Sequence, residues 1–558
     1  MIDFALLSNC ITSTLLLIAV THLVLHWFYY TGSMLEKIVN GDDQEQRVTT
    51  ALVATMVLGV MLLYNGTMYT IVANTISWAH LYSSRSLNVS VFRSEFFWVL
   101  TVEPIIFVVF SLFKVFCGVT QLLRAQSDET IMARLSFKMK EIGRPVPEVV
   151  IIIPIYNEPF EQLRSTIESI AGNAYPKSRT RVVLAFDDDR ITPTFEAVCK
   201  LITCNEKATL QGDIVFGNFL GLRVDCARFP HGGKRHAQMC AFMYLQEVLG
   251  KQIQKPLLLF LDSDITLDRL AIAHFVYEIT ERNNCEALTG LITISSGGFL
   301  ENLQNVEYID SQVLHRGTES TLGGVSCLPG ALAMLRFESL RLVSTEYFAQ
   351  RPATTPFSYA RRSLGEDRYL TELLLQSDPK PHRIGFAVAA RCQTTGCETL
   401  SSLMKQRRRW FLGTVSNEVS GLTTWKLWKT LPRLQLLQLM LSVRNAPLFL
   451  YLAIAEIALG EHNQLMWLSI GGLAAIQIPI WITVTYVGIT TGRGILPALY
   501  FPLYAALLPL AGFAFEIYGI MTFRRRSWGG PRADNENGAA YAADDEFSLE
   551  ADSVGIRV

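Results

Sequence analysis

The sequence predicts an α/β domain, a mostly parallel sheet with helices on both faces, inserted between two α-helical transmembrane blocks. Three observations predict it. Long apolar runs are confined to the two ends of the chain; short β-rich runs alternate with amphipathic stretches in the middle; and polar clusters follow directly after those β-rich runs.

The chain has 558 residues, 50% hydrophobic and only 18% charged, against about a quarter charged in a typical soluble domain. That excludes a disordered, collagen-like or small disulfide-rich protein. With 49 Lys and Arg against 50 Asp and Glu, the net charge is -1, so bulk charge offers no case for nucleic acid as a partner.

The apolar runs are Ile11–Tyr30, Thr50–Ile76 and Phe96–Gly118, then Leu434–Gly460, Leu465–Ile489 and Ile495–Phe523. Each reaches the ~20 residues that cross a ~30 Å hydrocarbon core. Six such runs, segregated to the ends, predict a multi-pass integral membrane protein with the lipid bilayer as a partner. No Lys or Arg precedes the first run and it is too long for a signal h-region, so it is not expected to be cleaved. This defines an N-terminal block over 1–123 (three helices) and a C-terminal block over 434–532.

A basic linker, 124–147, follows the third run with Arg134, Lys138, Lys140 and Arg144, the sign expected at a cytoplasmic face. On the other side of that run, Asn88-Val89-Ser90 is a glycosylation acceptor usable only outside the cytosol. Both place the middle section in the cytosol. Its cysteines show no metal-type spacing and are expected to be free thiols there.

Within the middle section, Val149–Ile153 precedes a helical pattern around Glu161–Ala171, Val182–Phe186 precedes Thr194–Leu201, and Leu257–Leu261 precedes Asp268–Ile279. Continuous apolar strands separated by helices indicate a parallel sheet covered on both faces. In such sheets ligands bind at the carboxyl ends of the strands. Polar clusters sit there: Tyr156-Asn157-Glu158, Asp187-Asp188-Asp189 and Asp262-Ser263-Asp264.

Each motif also has a plain structural reading. Asp262 and Asp264 offer hard oxygen ligands for Mg²⁺ or Mn²⁺, or simply an Asx-turn closing a strand. His231-Gly232-Gly233-Lys234-Arg235 joins a glycine turn to two cations suited to a diphosphate, or is a basic surface loop. Gly365-Glu366-Asp367-Arg368 opens a helical pattern, so its acids are helix caps, or one of them is a general base. Gln406-Arg407-Arg408-Arg409-Trp410 is a basic interfacial helix with an aromatic anchor, or a clamp on a leaving diphosphate with a sugar platform.

In this order, Tyr156-Asn157-Glu158, Asp187, Gly233-Lys234-Arg235, Asp262-Ser263-Asp264, Gly365-Glu366-Asp367-Arg368 and Gln406-x-x-Arg409-Trp410 resemble the processive family-2 glycosyltransferases, the superfamily of chitin, hyaluronan and cellulose synthases. Cys327-Leu328-Pro329-Gly330-Ala331 and the full Gln406–Trp410 motif look most like fungal-type chitin synthases. Ser527-Trp528-Gly529-Gly530-Pro531-Arg532 is similar to their S-W-G-x-x-R segment but carries Gly-Pro inside it, and Asp187-Asp188-Asp189 replaces a commoner Asp-Gly pair.

The resemblance implies a GT-A type glycosyltransferase domain over 148–400, interfacial helices over 401–433, and a UDP-sugar donor. Tyr156, Glu158, Asp187, Lys234, Arg235, Asp262, Gln406 and Arg409 are then donor-binding. Asp264 and Asp262 hold Mg²⁺ or Mn²⁺, with Asp264 the more direct ligand. Asp367 is the general base, flanked by Glu366 and Arg368. Trp410, Cys327, Pro329 and Gly330 face the acceptor. The implied product is a growing β-linked polysaccharide carried across the membrane, the first expectation being chitin from UDP-GlcNAc at the plasma membrane. Hyaluronan or a β-glucan is the alternative within the superfamily, and a non-processive lipid-linked sugar transferase lies further off. The sequence carries no signal for oligomeric state.

Charged residues inside apolar runs are functional candidates by default, here Glu103, Arg444, Glu456 and Glu516. The last run contains Pro497, Pro502, Pro509 and Gly512, and is expected to be a broken, interfacial or re-entrant segment that returns Arg524–Trp528 to the cytosol. The tail, 533–558, is acidic and small-residue-rich (Asp534, Glu536, Asp544, Asp545, Glu546, Glu550, Asp552) and is expected to be disordered.

Overall fold

A computed structural model describes residues 4–41, 44–75, 103–203, 209–211, 214–250, 255–282, 284–295, 297–349, 353–377, 383–444 and 463–526. Asn88, Glu456, the Ser527–Arg532 motif, the acidic tail and most of Leu434–Gly460 lie outside them, as do the side chains of Glu103 and Arg444. The chain divides into two compact units, 1–117 with 410–524 and 118–409 with 525–558.

The second unit is built on one ten-stranded sheet: β1 Val149–Ile155, β2 Thr180–Asp187, β3 Thr209–Gln211, β4 Ile214–Phe219, β5 Leu222–Phe229, β6 Leu257–Leu261, β7 Thr266–Leu267, β8 Cys285–Ile294, β9 Leu332–Arg336 and β10 Arg383–Thr394. The strand order is β3-β4-β5-β2-β1-β6-β9-β8-β10-β7. β5, β2, β1 and β6 are neighbours and all parallel, and β8 pairs parallel with β10. The remaining pairings are antiparallel, so the sheet is mixed rather than mostly parallel. The reason lies in β4 and β9. β4 joins β5 by a tight Leu220-Gly221 turn with positive φ at both residues, a hairpin that forces antiparallel pairing. β9 enters the sheet at Leu332 opposite Leu261, so its amino end lies beside the carboxyl end of β6.

Every residue of β2 and β6 is buried, as are all but Pro154 of β1. The uninterrupted apolar runs are the consequence of helices packing on both faces, among them Phe160–Ala171, Lys234–Leu249 and Ala271–Glu281. Each fully buried Val, Leu or Ile contributes roughly 1.5–3 kcal/mol of hydrophobic stabilisation.

The first unit is helical. Four described helical stretches are long and apolar enough to cross a bilayer: Ser13–Val39, Gln44–Thr67, Ile105–Arg124 and Leu496–Met521. A further helix spans Asn463–Thr490. Of the broken, interfacial or re-entrant forms expected for the last run, the Leu496–Met521 helix removes only the broken one. It is continuous over 26 residues with Pro502 and Pro509 inside it, which at 1.5 Å per residue is about 39 Å. Proline removes one backbone donor each time, a loss that apolar helices tolerate where neighbouring groups relieve the freed carbonyl.

Candidate active site

Four adjacent parallel strands end on four of the polar motifs. Across the sheet the order is β5 with His231–Arg235, β2 with Asp187–Asp189, β1 with Tyr156–Glu158 and β6 with Asp262–Asp264. The β1 and β6 segments are 105 residues apart in the chain, counted from Glu158 to Ser263, and only parallel pairing in this order gathers all four on one edge.

Asp187, the last residue of β2, is 1% exposed. Its two carboxylate oxygens accept the backbone N–H groups of Gly232 at 2.8 Å and Gly233 at 2.9 Å, and His231 Nδ1 lies 3.0 Å away. Gly233 has φ +85°, a conformation glycine adopts without strain, and its neighbour Lys234 opens the helix Lys234–Leu249. Asp187 thus holds the glycine loop in shape. The hydrogen bond to that carboxylate pushes the His231 imidazole up to about 9, against its partial burial. The His231 ring stacks on Tyr156 with centroids 4.7 Å apart and planes at 23°. His231 was visible in the sequence only as part of the glycine motif; its pairing with Asp187 and Tyr156 is a product of the fold.

Glu158 is buried and accepts from Ser263 Oγ at 2.6 Å, which locks the end of β1 to the turn after β6. In that turn, Asp262 Oδ1 takes the Lys234 ammonium at 2.6 Å. Asp264 is held differently, by the hydroxyls of Thr394 at 3.3 Å and Thr395 at 3.1 Å from the end of β10. The two threonines carry no motif in the sequence and are found only through the strand pairing.

Lys234 also lies 3.9 Å from Glu366 Oε1. Burial acts to lower its pKa, but the Asp262 and Glu366 carboxylates outweigh that and hold it raised. Burial raises the Glu366 carboxyl above the usual carboxylate range while Lys234 pulls it down; Arg409 is close enough to act on both groups. Gly330 fits against this cation: a Cβ there would stand 2.8 Å from Lys234 Nζ.

Glu366 and Asp367 open the helix Glu366–Gln376, directly after a π-helical turn over Ala360–Leu364. Asp367 Oδ1 accepts its neighbour Arg368 N at 2.8 Å, and Oδ2 accepts the Cys327 thiol at 3.2 Å. Burial and the adjacent Asp367 push the Cys327 thiol up to about 12, so it stays a protonated donor. The Cys327–Ala331 segment is fixed to this helix by Thr371 Oγ1, which accepts Leu328 N at 2.8 Å. Pro329 closes the same segment, its carbonyl accepting Leu332 N at 3.1 Å as β9 begins. Arg368 reaches Ser326 Oγ at 3.2 Å.

Arg235, expected to bind the donor, is anchored in the scaffold, as are Arg407 and Arg408 of the Gln406–Trp410 motif. Arg235 donates to the carbonyls of Arg362 at 3.2 Å and Ala349 at 3.5 Å. Arg407 pairs with Glu307 at 2.6 Å and with Gln406, and Arg408 donates to the Arg525 carbonyl at 2.7 Å. The motif stands on one helix, Leu400–Leu422, with Gln406 and Arg409 in the sheet unit and Trp410 opening the second stretch of the helical unit. The nine described cysteines are all free.

Acids, a lysine and a glycine loop converging at the carboxyl edge of an α/β sheet, followed by the Gln-x-x-Arg-Trp helix, define the class of the processive family-2 glycosyltransferases. Within it, the chitin synthase family model matches residues 236–557, and the chain belongs to that family. It is 34% identical to chitin synthase VI of Metarhizium acridum over 420 residues, 73% of this chain and 66% of that one. It is 35% identical to chitin synthase 7 of Pyricularia oryzae over 417 residues, 72% of this chain and 49% of that one. The chain therefore spans from about half to about two thirds of these relatives' length. Among solved structures, a mannosyltransferase from Pyrobaculum calidifontis in complex with GDP-Man and Mn²⁺ covers 74% of this chain and 98% of its own at 14% identity and a TM-score of 0.38.

Proposed function

We propose that the chain is a membrane-embedded, processive, inverting glycosyltransferase that polymerises chitin from UDP-GlcNAc and passes the product across the plasma membrane, with the sheet unit in the cytosol. The observation that carries this reading is Lys234, whose ammonium touches Asp262 at the donor side and approaches Glu366, next to Asp367, at the acceptor side. One cation joins the group that would face a diphosphate to the helix that would face a hydroxyl.

The reaction displaces UDP from an anomeric carbon, so charge develops on the diphosphate while the acceptor oxygen loses a proton. Asp367 is the proposed base toward that hydroxyl; the Cys327 thiol and the Arg368 amide orient its carboxylate. Lys234, Gln406 and Arg409 are the proposed partners of the leaving diphosphate. Tyr156 and Glu158 line the proposed uridine end, with Asp187 shaping the loop beside them, and Trp410, Cys327, Pro329 and Gly330 the acceptor side. Direct displacement needs no protein nucleophile and inverts the anomeric carbon, giving a β-linkage.

Asp262 and Asp264 are hard oxygen donors two residues apart and fit Mg²⁺ or Mn²⁺, with Asp264 the direct ligand because Asp262 is engaged by Lys234. Bound there, the ion would neutralise charge on the diphosphate.

Purified protein with Mg²⁺ or Mn²⁺ is expected to release UDP from UDP-GlcNAc. Release from UDP-glucose alone, or transfer of a single sugar to lipid, would rule the proposal out.

A further inference from the structure

Three ionisable side chains meet inside the helical unit, and nothing in the proposed reaction uses them. His22 and His26 stand four residues apart on the helix Phe4–Val39, so both rings lie on one face of it. Glu516 comes from the helix Leu496–Met521. Their exposures are 6%, 3% and 5%. The Glu516 carboxylate meets both rings: one oxygen lies against His22 Nε2, the other 3.2 Å from His26 Nδ1. These donor atoms all lie within 4.8 Å of one another.

The surroundings fix the rings. Phe513 stands edge-on to His22 with centroids 5.7 Å apart, and Tyr30 lies over His26 at 4.6 Å. His26 Nε2 is buried without a hydrogen-bond partner, so the ring's polar contact is made through the nitrogen that faces Glu516. A carboxylate buried between apolar helices is costly unless a cation compensates it. Two imidazole nitrogens and one carboxylate oxygen, with the histidines one helical turn apart, form a ligand set that zinc takes. With nitrogen supplying two of three ligands, the set disfavours Mg²⁺ and Ca²⁺, which prefer oxygen.

We propose that His22 Nε2, His26 Nδ1 and the Glu516 carboxylate form a binding site for a zinc-class transition-metal ion that ties the first described helix to the last. Three protein ligands leave room for a further donor. The site is separate in residue and in ligand chemistry from the aspartates of the sheet unit, and it stands whether or not the proposed reaction is correct.

The test uses the full chain in nanodiscs, stripped with a chelator and titrated with Co²⁺, read by visible d–d absorption and by metal content after desalting. The expected result is one Co²⁺ per chain, displaced by Zn²⁺ and not by excess Mg²⁺. Affinity should fall at least tenfold in His26→Ala and in the nearly isosteric Glu516→Gln, each checked for a native elution profile, and should persist in Asp264→Asn. Wild-type protein that retains no Co²⁺ overturns the proposal and leaves a hydrogen-bonded His–Glu–His triad only, an outcome that needs no variant to fold. A Co²⁺ signal lost in Asp264→Asn but kept in Glu516→Gln overturns it equally.

Discussion

Two clusters of ionisable groups, one at the edge of a sheet and one between helices, are assembled by opposite means. At the sheet edge, Asp187, Asp262, Asp264 and Asp367 come from three distant segments, and each carboxylate has backbone amides, hydroxyls, a thiol or an ammonium around it. In the helical unit, Glu516 meets imidazoles that a single i, i+4 spacing supplies. The sheet gathers many weakly informative motifs into a polar edge. The helices bury a few polar groups deeply, where each must find its charge partner. Strand topology therefore determines the first cluster and side-chain spacing the second, and substitutions should separate them.

The largest effect is expected at Asp367. Asp367→Asn keeps the size and the contact with Cys327 but removes the base, so kcat for UDP release should fall by ~10²–10⁴-fold with little change in donor KM. Full activity removes Asp367 from that role. Next comes Asp264→Asn. Losing the carboxylate that would hold the charge-neutralising ion removes several kcal/mol of transition-state stabilisation, on the order of 100-fold in rate or more, and should raise the Mg²⁺ or Mn²⁺ concentration for half-activity. An unchanged metal requirement argues against Asp264 as the ligand.

Asp187→Ala should act on structure before chemistry. It removes the acceptor of the part-buried Gly232 and Gly233 amides, at about 0.5–1.5 kcal/mol for each lost hydrogen bond, and should lower Tm and raise the KM for the UDP-sugar. A rate loss without either shift would make Asp187 a catalytic residue instead.

The His231–Asp187 pair gives a pH dependence of defined sign. His231 in the folded chain is raised to about 9 from an ordinary 6.5. Its stabilising contribution is thus fully present below about 6.5 and lost as pH rises through about 9. Wild-type Tm should decline across that interval more than that of His231→Ala, and parallel curves would show that the pair does not titrate there.

The smallest effect is expected from Gly330→Ala. The added methyl crowds the far end of Lys234, which can move, and meets Asp262 Oδ1 at ordinary contact distance, so the fold should hold while the donor KM rises a few-fold. A loss of folding would show that the Cys327–Ala331 segment has no slack.

The strands that were plain in the sequence are those buried on both faces. β1, β2 and β6 read as unbroken apolar runs, with β6 ending where the sequence placed it. β7 has two residues and β3 three, and such short edge strands leave no periodicity. β9 follows the Cys327–Ala331 motif, and its antiparallel entry depends on contacts with β6 and β8 that no local pattern encodes. The same distinction holds for the site. Asp262, Asp264, Glu366 and Asp367 stand in recognisable motifs, whereas Thr394 and Thr395 are identified only once β10 lies beside β7, which follows Asp264. Three prolines in the last apolar run look like a break, and on that point alone the structure differs from the expectation. In a sequence they signal lost backbone hydrogen bonds, but the helix accommodates Pro502 and Pro509 without interruption.

The central claim, that this site polymerises chitin, is tested most directly by identifying the product. Purified protein in nanodiscs with Mn²⁺ would be offered UDP-GlcNAc, UDP-glucose, or UDP-GlcNAc with UDP-glucuronate, and the insoluble product digested with chitinase or hyaluronidase. Polymer is expected from UDP-GlcNAc alone, degraded by chitinase and resistant to hyaluronidase. A polymer that forms only with UDP-glucuronate present, or only from UDP-glucose, would contradict the claim.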